Sequence, residues 1–352
     1  MQDLSPAPHL RSADAEPGAQ ELPDLPDHPP RLAERLLHRF ARFLPLAFFR
    51  RPPKIIIIDA TNSCNLRCPV CPVTFAMSRK RGMMKPHVFR KIIDDFKDQR
   101  EKPAIYFSFS GEPTLHRDLP DFIAYAHDSG HDTYLSTNAT RLTPEMSERL
   151  IRSGLGRVNL CMDGFSKEAQ EAYRVNSDFD QVKTNIETFL SLKREMGCRT
   201  PITVLQTLLT SYSEPQMEEM EAWAREAGFD RVRFKTFSIG SYTSADQKRE
   251  FAHFLPRAKE LRRHPRHTSH ALCTVPLFQS VVFWNGDLGL CCIDYDQVIQ
   301  LPNVERDGFL AAYRSDEAAR ARKRGFLKQF SICKTCSFSN AENMGIRRDL
   351  KT

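Results

Sequence analysis

Residues 54–72 read KIIIIDATNSCNLRCPVCP and join a short apolar run to three closely spaced cysteines. The run at 55–58 has the length and β-branched composition of a buried strand. Cys64, Cys68 and Cys71 follow it directly in the spacing CxxxCxxC. In barrels of strands and helices the working residues stand at the C-terminal ends of the strands, so we expect this cysteine loop to be a functional centre.

The spacing of these cysteines limits the chemistry that they can support. A disulfide would leave one thiol over, and the chain shows no secretory signal that would favour an oxidising compartment. A zinc site needs a fourth Cys or His nearby, and the sequence offers none until His87. Three thiolates can hold one cubane iron–sulfur cluster and leave one iron open to a small molecule. The pattern therefore favours an open iron–sulfur cluster over zinc or disulfides.

From residue 54 onward, strand patterns alternate with helix patterns about six times. This alternation predicts a parallel sheet covered by helices, and six units are too few for a closed eight-unit barrel. The predicted fold class is therefore α/β, with a partial (β/α)6 TIM-like barrel and a small cysteine-rich C-terminal domain. The predicted strands are KIIIIDAT, AIYFSFSG, DTYLSTN, RVNLCMDG, PITVLQTLLT and RVRFKTF.

The composition changes along the chain and predicts its domain organisation. The N-terminal thirty residues hold seven prolines, six acids and one base, so they predict a disordered leader. A polar, His- and Arg-rich stretch predicts a connector between the barrel and the C-terminal domain. The predicted segments are a leader at 1–30, a basic amphipathic helix at 31–53, the barrel at 54–237, the connector at 238–270, the cysteine-rich domain at 271–340 and a tail at 341–352.

Charge and hydropathy indicate the compartment and the partners. The leader is net negative, so the rest of the chain carries more than the overall charge of +7. A basic body suits acidic partners, and we expect a flavodoxin or ferredoxin-type electron donor to dock on it, with the basic run RARKRGFLK at 320–328 as one candidate surface. No apolar run reaches membrane-spanning length and no nucleic-acid motif is present. We expect a soluble, cytoplasmic protein.

The predicted helix at 31–53 has apolar residues at helical spacing with arginines between them. Such a helix can lie on a membrane surface or pack on the neighbouring domain. We favour packing, and peripheral membrane contact is the alternative. Pro45 is expected to end or kink the helix.

Three short motifs end the second, third and fourth predicted strands: SGEP at 110–113, STN at 136–138 and CMDG at 161–164. Together with CxxxCxxC after the first strand, they make the stretch from about 54 to 340 resemble the radical S-adenosylmethionine (radical SAM) enzymes. The resemblance implies a [4Fe–4S] cluster on Cys64, Cys68 and Cys71, with S-adenosylmethionine chelating its open iron. It also implies cleavage of that cofactor to a 5′-deoxyadenosyl radical, which abstracts hydrogen from the substrate.

The resemblance assigns cofactor contacts to residues at the strand ends. Glu112 and the backbone of Gly111 match positions that hold the methionine amino group, and Asp163 matches a residue on the ribose side. Ser110 replaces the first glycine of the family motif, and Val70 replaces an aromatic residue near the adenine. The cofactor-binding set implied is Gly111, Glu112, Pro113, Ser136, Asn138, Asp163 and Val70.

Cysteines outside the first loop raise further questions. Cys273, Cys291, Cys333 and Cys336 supply four thiolates, which suit either zinc or a fully ligated iron–sulfur cluster. Beside a radical SAM barrel, this spacing resembles the short twitch form of the SPASM auxiliary-cluster domain, which implies one auxiliary [4Fe–4S] cluster. Cys292 is interpreted as a spare, because neighbouring residues of a strand point to opposite faces. Cys198 stands apart.

A fully ligated auxiliary cluster has no position for substrate and would instead accept an electron from a substrate radical. The expected activity is therefore net oxidation of a small polar substrate, such as a sugar or cyclitol; epimerisation and dehydration stay open. Cys161, where the family usually has Ser, is either a small-residue exchange or a catalytic hydrogen donor. Arg174, Gln206 and Lys235 are candidate substrate contacts. The alternatives are a radical SAM maturase that modifies a peptide and a non-catalytic iron–sulfur or zinc scaffold.

Overall fold

The computed structural model describes residues 32–237, 239, 244–262, 272–334, 336 and 346–350. The predicted disordered leader lies outside these residues, as do residues 238, 240–243 and 263–270 of the predicted connector.

The described residues form one nine-stranded sheet in the order β8-β7-β1-β2-β3-β4-β5-β6-β9. Strands β1 to β7 are parallel to their neighbours, whereas β8 and β9 run antiparallel at the two edges. The α/β class and the six-unit partial barrel are confirmed. The strands are β1 Ile55–Ile58, β2 Ala104–Phe107, β3 Thr133–Thr137, β4 Arg157–Cys161, β5 Ile202–Leu209, β6 Arg231–Thr236, β7 Gln279–Val282, β8 Leu288–Gly289 and β9 Ile346–Asp349.

Helices follow most strands, and several begin at side-chain caps that the sequence supplies. Thr143, Ser166 and Asp178 each accept a hydrogen bond from a backbone N–H in the first turn of the helix that follows. The helices are α1 Leu32–Ala41, α2 Pro72–Phe75, α3 Pro86–Asp94, α4 Leu119–Asp128, α5 Pro144–Arg152, α6 Lys167–Tyr173, α7 Phe179–Glu195, α8 Met217–Ala227, α9 Ala245–Phe251, α10 Val275–Phe278, α11 Val304–Asp307, α12 Phe309–Arg314, α13 Asp316–Phe326 and α14 Ser331–Lys334.

Alternate strand residues divide the sheet into two faces. One face packs against the helices and forms the main core, with Ile56, Phe107, Val158 and Phe234 among its fully buried members. The neighbouring residues point to the other face, which is the inner face of the partial barrel. The functional side chains described below lie on this inner face or at the ends of its strands.

The C-terminal segment adds strands to both edges of the barrel sheet. A turn at Asn285 and Gly286 joins β7 to β8, and Gly286 adopts a φ of +87° there. At the other edge, residues 346–349 lie within the predicted tail but form β9, antiparallel to β6. The register of β9 depends on a strand more than a hundred residues away, so local sequence did not predict it.

The helix of the amphipathic segment ends just before Pro45, where the sequence predicts an end or a kink, and is therefore shorter than the predicted span 31–53. Helix α1 ends at Ala41, and a separate 3-10 helix begins after Pro45 and spans Leu46–Arg50. Ala41 and Phe49 are buried with Ala319 and other apolar residues at the α13 end of the chain. The side chains of Leu36, Leu37, Phe40 and Phe43 remain 46%, 58%, 70% and 79% exposed. Among the described residues, no helix combines the length and the apolar character that crossing a bilayer requires.

Candidate active site

The cysteine loop lies directly after β1, as predicted. Its backbone is tied by a hydrogen bond from Cys71 N to Cys68 O at 3.1 Å, and Leu66 N donates to Cys64 Sγ at 3.4 Å. Arg67 N also donates to the carbonyl of Val175 at 2.9 Å, which anchors the loop to the segment after α6. None of the three cysteines is in a disulfide.

Burial raises the pKa of all three thiols of this loop, and that of Cys68 to about 12. The guanidinium of Arg174 acts in the opposite direction on each of them. Burial therefore favours the protonated form of these thiols, and binding of iron would favour the thiolate instead.

The number and spacing of these thiols suit a cluster better than a single zinc ion. The loop supplies three cysteines, and no further Cys or His follows until His87. A structural zinc site takes four protein ligands, whereas a cubane cluster takes each cysteine on a separate iron and can leave one iron open. The three residues would therefore suit an iron–sulfur cluster.

Gly111 brings the end of β2 into contact with this loop. Its φ of +73° is in the left-handed region, and a Cβ there would lie 2.3 Å from Thr61 O and 2.5 Å from Ser63 O. The next residue, Glu112, donates its backbone N–H to Ser63 O at 2.8 Å. Only glycine permits this close approach.

Ser110, which replaces a glycine of the family motif, belongs to a buried polar network that sequence reasoning missed. Its hydroxyl donates to Asp59 Oδ1 at 2.6 Å and accepts from Arg79 at 3.2 Å. Arg79 also pairs with Asp59 Oδ2 at 3.1 Å, and its guanidinium lies 4.4 Å from the ring centre of Phe283. Ser110 therefore adds a link between Asp59, directly after β1, and Arg79, which in turn contacts Phe283 of the C-terminal segment.

The carboxylate of Glu112 joins the ends of β2 and β3. Its Oε1 accepts from Thr114 N at 3.0 Å, from Thr114 Oγ1 at 2.7 Å and from Thr137 Oγ1 at 2.7 Å, while Oε2 accepts from Asn138 N at 2.8 Å. Only 2% of the residue is exposed. This side chain thus fixes the STN segment, and Oε2 is the oxygen with fewer protein partners. Pro113 is also buried and begins a 3-10 helix, Pro113–Leu115.

The polar residues at the end of β3 serve two different regions. Asn138 Nδ2 donates to Asn65 Oδ1 at 3.2 Å and lies 4.0 Å from Cys64 Sγ, so this amide borders the cysteine loop. Ser136 points into the barrel, where its hydroxyl and Cys161 Sγ are 3.3 Å apart.

Val70 is buried in an apolar group with Tyr173, Phe237, Phe251 and Phe254.

Asp163 and Arg174 form a buried ion pair beside the cysteines. Arg174 Nε donates to Asp163 Oδ2 at 2.5 Å, and Leu208 N donates to Asp163 Oδ1 at 2.7 Å. Burial alone would lower the pKa of Arg174, but Asp163 and the nearby Cys68 raise it well above its ordinary value. Arg174 is therefore a permanent cation facing the cysteine loop, and Asp163 positions it.

Several of the predicted substrate-side residues meet at Cys161. The Nε2 of Gln206 donates to Cys161 Sγ at 3.4 Å, and only 6% of the cysteine is exposed. Burial raises the pKa of this thiol, while Arg174 and Lys235 are close enough to lower it. Ser136, Cys161, Gln206 and Lys235 thus occupy one region inside the barrel.

The second cysteine group also assembles. The pKa of the Cys333 thiol is raised by burial and by Cys273 and Cys336, and that of Cys291 by burial and by neighbours that include Cys336. Cys292 lies in a turn after β8 rather than in a strand, so the alternation that made it a spare does not apply. Its thiol faces Gln279, and burial together with the nearby Cys336 and Cys273 raises the pKa of this thiol. Cys198 is distant from both groups in sequence, and its thiol donates to Met196 O at 3.6 Å.

Comparison with protein families gives two matches that cover the two cysteine groups. Residues 58–224 match the model of the radical SAM superfamily, and residues 273–337 match the SPASM iron–sulfur cluster-binding domain. The cysteine positions that the sequence singled out fall within these two stretches.

Curated proteins with similar sequences modify a range of molecules. The chain is 29% identical to a tungsten-containing aldehyde ferredoxin oxidoreductase cofactor-modifying protein of Pyrococcus furiosus, over 51% of this chain and 50% of that protein. It is 32% identical to an AdoMet-dependent heme synthase of Nitratidesulfovibrio vulgaris (43% and 41%) and 29% identical to the mycofactocin maturase MftC of Mycobacterium tuberculosis (42% and 35%). The matched stretches span half or less of these relatives.

Solved structures share the fold at low sequence identity. SuiB of Streptococcus suis bound to S-adenosylmethionine superposes with a TM-score of 0.59 at 17% identity, over 82% of this chain and 73% of SuiB. BtrN in complex with AdoMet and 2-DOIA gives a TM-score of 0.51 at 14% identity, over 83% of this chain and 94% of BtrN.

Proposed function

The chain is a radical SAM enzyme with a SPASM iron–sulfur domain, and from this premise we propose that it oxidises a small polar substrate of the sugar or cyclitol kind. These domains imply [4Fe–4S] clusters and S-adenosylmethionine as cofactors. When bound, the open cluster and S-adenosylmethionine supply a 5′-deoxyadenosyl radical, which removes a hydrogen atom from the substrate.

The residues around the cysteine loop hold and orient these groups. Cys64, Cys68 and Cys71 are the proposed cluster ligands, and Arg174 places a fixed positive charge beside them. A guanidinium in this position favours an anionic group, such as the carboxylate of the methionine moiety. Glu112 holds the ends of β2 and β3 together and leaves Oε2 as the proposed acceptor for the methionine amino group.

The inner face near Cys161 is the proposed substrate region. Ser136, Gln206 and Lys235 surround that thiol at the C-terminal ends of β3 to β6, where barrels of this kind position reacting groups. Burial of this region excludes water and so protects a radical from side reactions. Val70 and Asp163 remain proposed contacts of the adenosine moiety.

The observation that carries the oxidation proposal is the second thiol group. Burial raises the pKa of the thiols of Cys273, Cys291, Cys292 and Cys333, and the nearby Cys336 raises each of them further, which supports a shared site for these cysteines. Four thiolates saturate a [4Fe–4S] cluster, and a saturated cluster suits electron transfer rather than substrate binding. We therefore propose that it accepts the electron that a substrate radical must lose in net oxidation.

Epimerisation is the second candidate, because Cys161 is a buried thiol inside the barrel. In that reaction the Cys161 thiol would give a hydrogen atom to the substrate radical on its opposite face. The resulting thiyl radical would be restored to a thiol by one proton and by one electron from the proposed flavodoxin or ferredoxin donor, so the substrate would lose no electrons overall. Product analysis distinguishes the two reactions: oxidation removes two hydrogen atoms, whereas epimerisation in deuterated water incorporates solvent deuterium. A Cys161→Ala variant would lose only the epimerisation.

Peptide maturation is an alternative supported by the relatives, which include proteins named PqqA peptide cyclase and mycofactocin maturase. A peptide partner would have to bind this chain stably. Absence of binding to any candidate precursor peptide, combined with turnover of a small molecule, would exclude this alternative.

The electron donor is proposed to be a flavodoxin or ferredoxin that docks on basic surface. The run at 320–328 is only partly available for this purpose, because Arg322 is buried and donates to the carbonyls of Phe49 and Tyr313. Arg320 and Arg324 are exposed on the same helix and remain candidates.

Formation of 5′-deoxyadenosine tests the radical chemistry directly. Anaerobically purified protein, reduced with dithionite and given S-adenosylmethionine, is expected to release 5′-deoxyadenosine. Cys68→Ala is expected to abolish this release, and Cys198→Ala is expected to leave it unchanged. Release by Cys68→Ala at the wild-type rate would refute the proposed cluster site.

A further inference from the structure

A group of arginines and tyrosines lies on the inner face of the sheet, across from Cys161 and toward the N-terminal ends of the strands. Arg157 begins β4, and its register neighbour across the sheet is Tyr134, which in turn is opposite Tyr106. On the other side, Arg233 of β6 is directly opposite Arg347 of β9. The helix-facing neighbours Val158, Val232 and Phe234 belong to the main core, so alternation places Arg157 and Arg233 on the inner face.

These residues are close enough to act on one another across the partial barrel. Burial raises the pKa of the Tyr106 hydroxyl, and the positive charges of Arg157, Arg233 and Arg347 each act to lower it. The pKa of Arg233 is lowered first by burial and then by Arg347, with Arg157 acting in the same direction. Three guanidinium groups thus share one region.

Unlike other arginines on the same strands, these three have no acidic partner among the described residues. Arg231 of β6 pairs with Asp349 at 2.6 Å, and Arg348 of β9 pairs with Glu221 of α8. By contrast, the Nε atoms of Arg157 and Arg233 are buried without a hydrogen-bond partner in the described part of the chain. Unpaired cations in a partly buried site destabilise the protein unless an anion joins them.

Two stacked tyrosine rings line one side of this region. The rings of Tyr106 and Tyr134 stack with centroids 4.3 Å apart and an interplanar angle of 10°. The guanidinium carbon of Arg157 lies 5.0 Å from the Tyr134 ring centroid. This cation–π contact restrains Arg157 while the edge of its guanidinium stays free to donate hydrogen bonds.

We propose that Arg157, Arg233 and Arg347 form a subsite that binds a carboxylate or phosphate group of the substrate. Guanidinium groups bind both kinds of anion through paired hydrogen bonds, and several of them together favour a multiply charged group. The subsite rests on the proposed function, since it assumes that the substrate occupies the barrel. It narrows the substrate class to an anionic sugar or cyclitol derivative.

The distances from Arg157 and Arg233 to Cys161 indicate how far the bound anion would lie from the reacting end of the substrate. Arg157 is four residues before Cys161 on β4, which corresponds to about 13 Å along a strand. Cys161 on β4 is opposite Gln206 on β5, which is opposite Arg233 on β6. Arg233 is therefore two strands away from Cys161, a separation of about 10 Å. A substrate anchored here would present a C–H bond near Cys161 at the other end of a molecule of sugar-phosphate size.

Anion binding to the full-length holoenzyme tests the subsite without turnover. Inorganic phosphate and succinate would be titrated separately by calorimetry, at constant ionic strength set with sodium chloride and with S-adenosylmethionine already bound. At least one of them is expected to bind wild type saturably, and the preferred one identifies the substrate group as phosphate or carboxylate. Arg233→Met is expected to weaken that binding by at least tenfold. Arg231→Met, which removes a paired arginine of the same strand, is expected to leave it within twofold.

A thermal unfolding comparison provides a second readout that needs no ligand. Arg233→Met removes a half-buried guanidinium whose buried Nε has no hydrogen-bond partner among the described residues. Its unfolding temperature without phosphate or succinate is therefore expected to be equal to or higher than that of wild type. The proposal is overturned if neither anion binds wild type, if Arg231→Met weakens binding as much as Arg233→Met, or if Arg233→Met unfolds at a clearly lower temperature. These outcomes are independent of 5′-deoxyadenosine release, which tests the proposed function separately.

Discussion

At the scale of single residues, Glu112 connects the fold to the site most directly. Its buried carboxylate accepts hydrogen bonds from Thr114, Thr137 and Asn138, which belong to the ends of two neighbouring strands. The resemblance assigned this residue to the cofactor, and the structure adds an architectural role. One side chain therefore holds the STN segment in place beside the cysteine loop.

Glu112→Ala is expected to lower the free energy of unfolding by about 3 kcal/mol, because it leaves several buried donors without an acceptor. Glu112→Gln is expected to cost less, since the amide oxygen still accepts from some of these donors. Urea unfolding of the anaerobic proteins measures both values. An Ala variant as stable as wild type would contradict this role.

His131 gives a prediction for the effect of pH on stability. It is 3% exposed, its Nδ1 lies 2.8 Å from Pro103 O, and burial lowers the pKa of its imidazole. The unfolded chain therefore takes up a proton more readily than the folded one, so this group favours folding above about pH 6.5 and loses that contribution as the pH falls further.

Replacing His131 by Asn, whose amide can still donate to Pro103 O, is expected to flatten the loss of stability between pH 7 and pH 5. The maximum contribution of one such group to the slope is about 1.4 kcal/mol per pH unit. Thermal unfolding of both proteins across this range measures the difference. Identical pH profiles would show that His131 does not titrate as described.

At the scale of elements, the N-terminal segment separates into buried and exposed parts. Phe49 is 1% exposed and contacts Phe326 with ring centroids 5.7 Å apart, whereas Phe40 and Phe43 are 70% and 79% exposed. We predicted that this segment packs on the neighbouring domain. Its 3-10 helix does so, while several apolar side chains of and after α1 remain at the surface.

Phe49→Ala is therefore expected to destabilise the protein by about 3 to 5 kcal/mol. Phe40→Ser and Phe43→Ser are each expected to change the free energy of unfolding by no more than about 0.5 kcal/mol. Chemical denaturation of the full chain distinguishes the three variants. A large loss of stability in Phe40→Ser would mean that the α1 surface is covered.

The elements also show how far local sequence patterns reach. The strand–helix alternation follows from periodicity, and the resemblance to the radical SAM enzymes assigned the motifs at the strand ends. The parallel sheet and the cysteine loop after β1 were therefore predicted from sequence. The pairing of β9 with β6 and the link of Asp59 with Arg79 and Ser110 depend on contacts between distant segments. The same limit applies to the group of Arg157, Arg233 and Arg347, because each arginine alone resembles an ordinary surface residue.

At the scale of the whole molecule, the two cysteine groups follow neighbouring strands of one sheet. Strand β1 leads into the first group, and β7, which pairs with β1 in parallel from Ile55 to Ile58, leads through β8 to Cys291 and Cys292. Cys292 also packs against an apolar group that includes Ile57 and Phe283 near the inner face. The proposed transfer of an electron from the barrel interior to the second group would use this arrangement.

Loss of the second cysteine group is expected to separate cleavage of S-adenosylmethionine from oxidation of the substrate. Cys333→Ala with Cys336→Ala should lower the iron content by about four atoms per chain. It should leave release of 5′-deoxyadenosine detectable, because the first cysteine group is intact, but should remove the oxidised product. Retention of that product would contradict the proposed electron acceptor.

The most direct test of the account is a count of iron, sulfide and zinc per chain in anaerobically purified wild-type protein. Two cubane clusters predict about eight irons with matching sulfide and no zinc. About four irons with one zinc would leave the barrel chemistry in place but make the second cysteine group a structural metal site, which would contradict oxidation through an auxiliary cluster.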